Sequence, residues 1–88
     1  MKKIIKLLKA IANQRRLEIL RYIHNHKKKE ATVGEIAEVI KLSFKSTSRH
    51  LAVLRDADIL DRDQRGLEAY YKLSQNKHSI LKNILSIV

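Results

Sequence analysis

The chain has 88 residues, with 19 Lys and Arg against 9 Asp and Glu, a formal net charge of +10 at pH 7, and no cysteine. Its length allows one domain with a modest core, so self-association is a natural source of further burial. The missing cysteines exclude disulfides and thiolate metal sites, and no apolar run approaches the roughly twenty residues of a membrane span.

The charge predicts a polyanionic partner, but it is unevenly spread. Residues 1–30 hold ten basic and two acidic side chains, residues 31–60 four of each, and residues 61–88 five and three. The basic start, Met1 to Lys6, turns amphipathic at once and has no signal-peptide core, so a soluble cytoplasmic chain is expected.

Residues 2–12 predict a short helix with Ile4, Ile5, Leu8 and Ile11 on one side and Lys2, Lys6 and Lys9 on another. It is too short to stand alone and must pack on something. Asn13 is a suitable N-cap for a second helix over residues 14–26. There Leu17, Ile19, Leu20 and Ile23 face inward, while Arg15, Arg16 and Arg21 stay outside. His24 and His26 are two apart, point in different directions on a helix and make a poor metal pair. Lys27, Lys28, Lys29 and Glu30 form a polar loop, read more simply as a solvated charge run than as a phosphate contact.

Residues 32–57 are the centre of the chain and predict two helices joined by a tight turn. Thr32 with Glu35 three residues later has the spacing of a capping box, and Ile36, Ala37, Val39 and Ile40 follow as an apolar stripe. Leu42 tucks between the helices, and Ser43 caps the second helix. That helix aligns Thr47, Leu51, Leu54 and Asp58 on its back and carries Phe44, Lys45, Ser48, Arg49 and Ala52 on its front. An apolar back with a front of hydrogen-bond donors suits a recognition helix in a major groove. Such helix pairs also occur in all-helical domains that never meet nucleic acid.

A strand is predicted from Ile59 to Gln64, a turn at Arg65 and Gly66, and a returning strand from Glu68 to Leu73. Gly66 suits the turn because it tolerates positive φ. A hairpin with Arg62 and Arg65 near its tip, directly after a recognition helix, is a wing. Two strands alone would be marginal, so the hairpin must lean on the helices. Residues 75–88 form a last helix whose Ile80, Leu81, Ile84, Leu85, Ile87 and Val88 are very apolar for a terminal segment. With Ile4, Ile5 and Leu8 of the first helix, they predict a two-fold homodimer interface. The expected fold is therefore mostly α with a small β-hairpin: one winged helix-turn-helix domain over residues 1–88, in the order α-α-α-α-β-β-α. Residues 1–12 and 75–88 would dimerise, 32–57 would be the helix-turn-helix and 59–73 the wing.

The stretches Leu8 to Asn13, Arg16 to Leu20, Leu42-Ser43, Ser48 to Arg55, Gly66 and Tyr70 to Leu73 resemble the ArsR-type (arsenic-repressor) family of winged-helix repressors. The resemblance covers nearly the whole chain and implies homodimeric binding of double-stranded DNA, with recognition helices in successive major grooves. Four departures stand out. Gln14 replaces the family's proline after Ala-Asn, and Leu67 stands where the family often has another arginine. Thr32 occupies the place of the metal-sensing cysteine, and the terminal helix offers only Asn76 and His78 near its start. One histidine is too few for a four-coordinate zinc site, so the resemblance extends to DNA binding and not to metal sensing.

The expected DNA contacts are Ser43, Phe44, Lys45, Ser46, Ser48, Arg49 and His50 from the helix and Arg62 and Arg65 from the wing. Lys45 and Arg49 suit guanine O6/N7 or a nearby phosphate, and Ser46 and Ser48 suit either. Phe44 has two readings, a contact with a thymine methyl or a staple on the protein; His50 turns to the helix flank. With no glycine-rich phosphate loop, no paired carboxylates and no nucleophile beside a base, neither catalysis nor a cofactor is expected. No pattern singles out a small-molecule effector. A winged helix that binds protein instead of DNA, or an architectural protein without sequence preference, stays open beside a repressor of an imperfect palindrome.

Overall fold

The structure is a computed structural model that describes residues 1–75 and 78–87, and of His78 the backbone. Helix α1 (Lys2–Ile11) is followed by α2 (Gln14–Asn25), strand β1 (Ala31–Thr32), α3 (Val33–Ile40), α4 (Phe44–Asp56), strands β2 (Leu60–Arg65) and β3 (Glu68–Leu73), and α5 (His78–Leu85). The Val88 and Asn76 expectations lie outside the described residues. Among the described residues no helix is long and apolar enough to cross a membrane.

Helix starts follow their caps. Asn13 accepts from the Arg16 amide at 3.1 Å, and Ser43 Oγ accepts from the Ser46 amide at 3.0 Å. At α3 both halves of the capping box form: Thr32 Oγ1 accepts from the Glu35 amide, and Glu35 Oε1 accepts from the Thr32 amide. Each bond satisfies a donor that the first helical turn leaves without a partner.

The core draws on every element but follows a slightly different stripe from the one expected. Helix α1 buries Leu7, Ala10 and Ile11, while Ile4, Ile5 and Leu8 remain 47%, 44% and 50% exposed. In α3, Val33, Ile36, Ala37 and Ile40 turn inward and Val39 faces out, because 33, 36, 37 and 40 are the set that one face of a 3.6-residue period admits. Helix α4 buries Thr47, Leu51 and Leu54 as expected, but ends before Asp58, which lies exposed at φ +59°. Ala57 closes that row instead. Arg16 is not simply outside: its Nε donates to the Ala10 carbonyl at 2.6 Å, closing the α1–α2 corner.

The sheet has a third strand. Residues 31–32 do not run straight from loop into helix; Ala31 pairs with Tyr71 and Thr32 with Tyr70, so the order is β1-β3-β2. The wing therefore grows from a small antiparallel sheet, which supplies part of the support that two strands lack. Within the hairpin Leu60 faces Leu73, Arg62 faces Tyr71 and Arg65 faces Glu68, which leaves Gly66 and Leu67 as the loop. The turn is thus one residue later than expected, with Gly66 at φ +62° in the first loop position, as type II′ hairpins require.

Candidate nucleic-acid interface

Helix α4 is sealed behind and open in front. Thr47, Leu51 and Leu54 are fully buried, and the Thr47 hydroxyl donates to the Ser43 carbonyl at 2.8 Å, so no polar atom is stranded. On the opposite side Lys45, Arg49 and Ala52 are exposed and Ser48 half-buried. Among the described residues neither Lys45 nor Arg49 is drawn into an ion pair. Ser43 Oγ is engaged in capping. Phe44 does not staple to the core; it stands 64% exposed at the first position of the helix.

His50 turns to the flank as expected. Its Nδ1 lies 3.5 Å from Arg16 Nη1. Burial, reinforced by repulsion from Arg16 and then Arg15, holds the imidazole below the ordinary histidine range. It is thereby biased toward the neutral form.

Wing and helix together frame an open cleft of about 300 Å³. Phe44 and Ser48 line it from α4, Arg62, Gln64 and Leu67 from the wing, and Thr32 to Gly34 from the start of α3. Gln64 and the α3 start were not expected at this site. Strand alternation carries the signal for Gln64: it shares with Arg62 the hairpin face that deeper down bears Leu60, Tyr71 and Leu73. Arg62 donates to Gln64 Oε1 and so is held over the cleft.

Arg65 does not join it. It lies one step out of phase with Arg62, on the hairpin's outer face, where Nη2 donates to Glu30 Oε1 at 2.9 Å and Nε to Asp63 Oδ2 at 2.9 Å. Nη1 donates to the second Glu30 oxygen, and the guanidinium lies 4.4 Å from the Tyr70 ring centre. The two wing cations read from the sequence as one basic tip therefore serve opposite faces.

A second polar knot fixes α3. Glu35 Oε2 accepts from Tyr22 Oη at 2.8 Å and lies 2.9 Å from His26 Nε2. Burial pushes the Glu35 carboxyl up, but the hydrogen bonds from Tyr22, His26 and the Thr32 amide outweigh it and leave it below the ordinary range. Thr32 caps α3 with its hydroxyl, and no group of three or more His, Cys, Asp or Glu able to hold a metal occurs among the described residues.

Of the side chains assigned to self-association, Ile4, Ile5, Leu8 and Ile80 are exposed and Ile84 is half-buried. Leu81 and Leu85 are instead buried within the protomer's own core, at 0% and 5% exposure.

A capped helix-turn-helix, an exposed donor front on its second helix and a hairpin beside it define a winged helix-turn-helix DNA-binding protein. Comparison with known proteins gives the family. The profile described as "Bacterial regulatory protein, arsR family" matches residues 13–62, and the chain belongs to that family. The transcriptional repressor PagR of Bacillus anthracis is 35% identical over 71 residues, spanning 81% of this chain and 69% of the relative. The transcriptional activator HlyU of Vibrio cholerae is 34% identical over 83 residues, spanning 94% and 74%. A solved structure of HlyU from Vibrio cholerae superposes with a TM-score of 0.85 at 31% identity, covering 98% of this chain and 91% of that one. The chain is a DNA-binding transcriptional regulator.

Proposed function

We propose that the chain acts in the cytoplasm as a homodimeric repressor that binds an imperfect palindrome, its two α4 helices entering successive major grooves about one turn of DNA apart. The observation that carries this reading is α4 itself, whose inner face is closed while Lys45, Ser48 and Arg49 are left without protein partners among the described residues. Lys45 and Arg49 are the candidates for guanine edges, with Ser46 and Ser48 for bases or phosphate, and Phe44 for a thymine methyl. Arg62 meets the backbone across the cleft. Self-association is supported by the uncovered Ile4, Ile5, Leu8 and Ile80. The accessible area of 6009 Å² also exceeds the roughly 5,300 Å² expected of a 10.2 kDa monomer, by an amount near one partner's share of an ordinary interface. Of the relatives, PagR is named a repressor and HlyU an activator.

The test is a salt titration of binding to the DNA upstream of the protein's own gene against random duplex. A preference for the upstream DNA, with affinity falling steeply as salt rises, is the expected result. Arg49→Ala should cost about 1–3 kcal/mol on that DNA and relax base preference. Equal, weak binding to both duplexes would favour an architectural role, and no binding at low salt would sink the DNA reading.

A further inference from the structure

The outer face of the wing has an electrostatic character opposite to that of the chain as a whole. Strand alternation puts Asp61, Asp63, Arg65, Glu68 and Lys72 on that face, and Glu30 joins them from the residue before β1. Four carboxylates therefore surround two cations in a protein of net charge +10. Arg65 is the more committed of the two cations. Three of its five N–H donors go to carboxylate oxygens, and its flat side rests on Tyr70. The Glu30 carboxyl is held below the ordinary range chiefly by its hydrogen bond from Arg65, so the pair stays ionised through the neutral range. The contact joins residues 35 positions apart, and β1–β3 pairing is what brings Glu30 to the hairpin.

We propose that Glu30 is a brake on sequence-independent DNA binding: by chelating Arg65 on the outer face of the wing, it withholds that guanidinium from phosphate. This rests on the DNA-binding reading above. A phosphate offers Arg65 the same bidentate oxygen pair that Glu30 offers, so the two compete for one fork. While Glu30 holds it, Arg62 is the wing cation presented over the cleft beside α4, and affinity leans on the α4 contacts that carry sequence information. The expected consequence is a higher ratio of specific to nonspecific binding than a freely basic wing would allow.

The experiment measures binding of wild type, Glu30→Gln, Arg65→Gln and the double variant to random duplex and to duplexes selected by the wild-type protein, across a salt series. Glu30→Gln should tighten random-duplex binding severalfold near 0.1 M salt and steepen the log–log salt slope by about 0.9, the value for one added phosphate contact. It should narrow the gap between selected and random DNA. Arg65→Gln alone should leave the slope unchanged, and in the double variant the gain should vanish. A gain that persists without Arg65 would reduce the effect to net charge and overturn the proposal. So would an unchanged slope in Glu30→Gln, or a slope flattened by about 0.9 in Arg65→Gln, since Arg65 would then already be on phosphate. If Glu30 only props up the wing, Glu30→Gln weakens binding to both duplexes and lowers the melting temperature, which also overturns it. Failure of the wild type to enrich any sequence would strike at the DNA-regulator reading itself, and is read separately from the variants.

Discussion

His50 shows how one side chain can sit on α4 without facing the way its exposed donor front does. Its neighbours Arg49 and Ala52 point outward, whereas its own ring turns back toward Arg16 and is half-buried there. Burial and the Arg16 and Arg15 charges favour the neutral ring, so the folded chain binds its proton less readily than the unfolded chain does. The depressed folded value means that this site's share of stability is present above about pH 6.5, the unfolded histidine value, and is lost as pH falls through the lower folded value. Urea unfolding at pH 7 and pH 5 should therefore show a smaller acid loss in His50→Gln than in wild type. Equal losses would mean that neither burial nor the two arginines disfavours the charged ring. Thr47 makes the complementary point. It is a polar residue in the core row that costs little, because its hydroxyl is spent on the Ser43 carbonyl one turn back.

At the scale of elements, the joints matter more than the helices. Helix α3 ends at Lys41, which adopts φ +58° and ψ +49°, and the Leu42 amide returns to the Ala37 carbonyl at 3.1 Å. This left-handed stop sets the angle between α3 and α4 and drops Leu42 against the core. The conformation suits glycine, since a side chain there strains against the following carbonyl. Lys41→Gly should therefore raise stability, by up to about 1 kcal/mol after the added freedom of the unfolded chain is subtracted. Denaturant titration would register this as a higher midpoint at constant slope; a lower midpoint would show that the lysine side chain contributes packing. The turn was legible in Lys41-Leu42-Ser43 as a break in the apolar pattern and a good cap. Which residue carried the positive φ was not, because neither Gly nor Asn marks the place. The same limit hid β1: two residues, Ala31 and Thr32, are too few for a period-2 pattern, and only their pairing with Tyr71 and Tyr70 makes them a strand.

For the whole molecule the decisive feature is the apolar edge that each terminal helix leaves uncovered. Helix α1 spends Leu7, Ala10 and Ile11 on the protomer and leaves Ile4, Ile5 and Leu8 in solvent; α5 divides likewise between Leu81 and Leu85 inside and Ile80 outside. Both helices therefore have two apolar sides, one packed within the protomer and one left uncovered. Leu8→Glu, at an exposed position, should leave the helical content intact while converting a dimer to a monomer in sedimentation experiments. It should also cost much of the affinity for a two-half-site operator, because the half-sites then bind independently. A variant that sediments and binds like wild type would remove α1 from the interface.

Much of this architecture is written locally. The caps at Asn13, Thr32 and Ser43, the buried row Thr47, Leu51 and Leu54, and the donor front of α4 follow from residue type and spacing, since helical period and capping chemistry act over a few residues. The family resemblance lay in those same stretches. What tertiary structure decided are matters of facing and pairing across long separations. The apolar residues of α1 and α5 divide between core and surface because the other helices cover only one side of each. Arg62 and Arg65 part company because hairpin register, and not proximity in sequence, assigns them to opposite faces. Glu30 reaches Arg65 only because β1 docks on β3. Ionic partners 35 residues apart leave no periodic trace in a single sequence, and the wing's charge could be counted there but not apportioned.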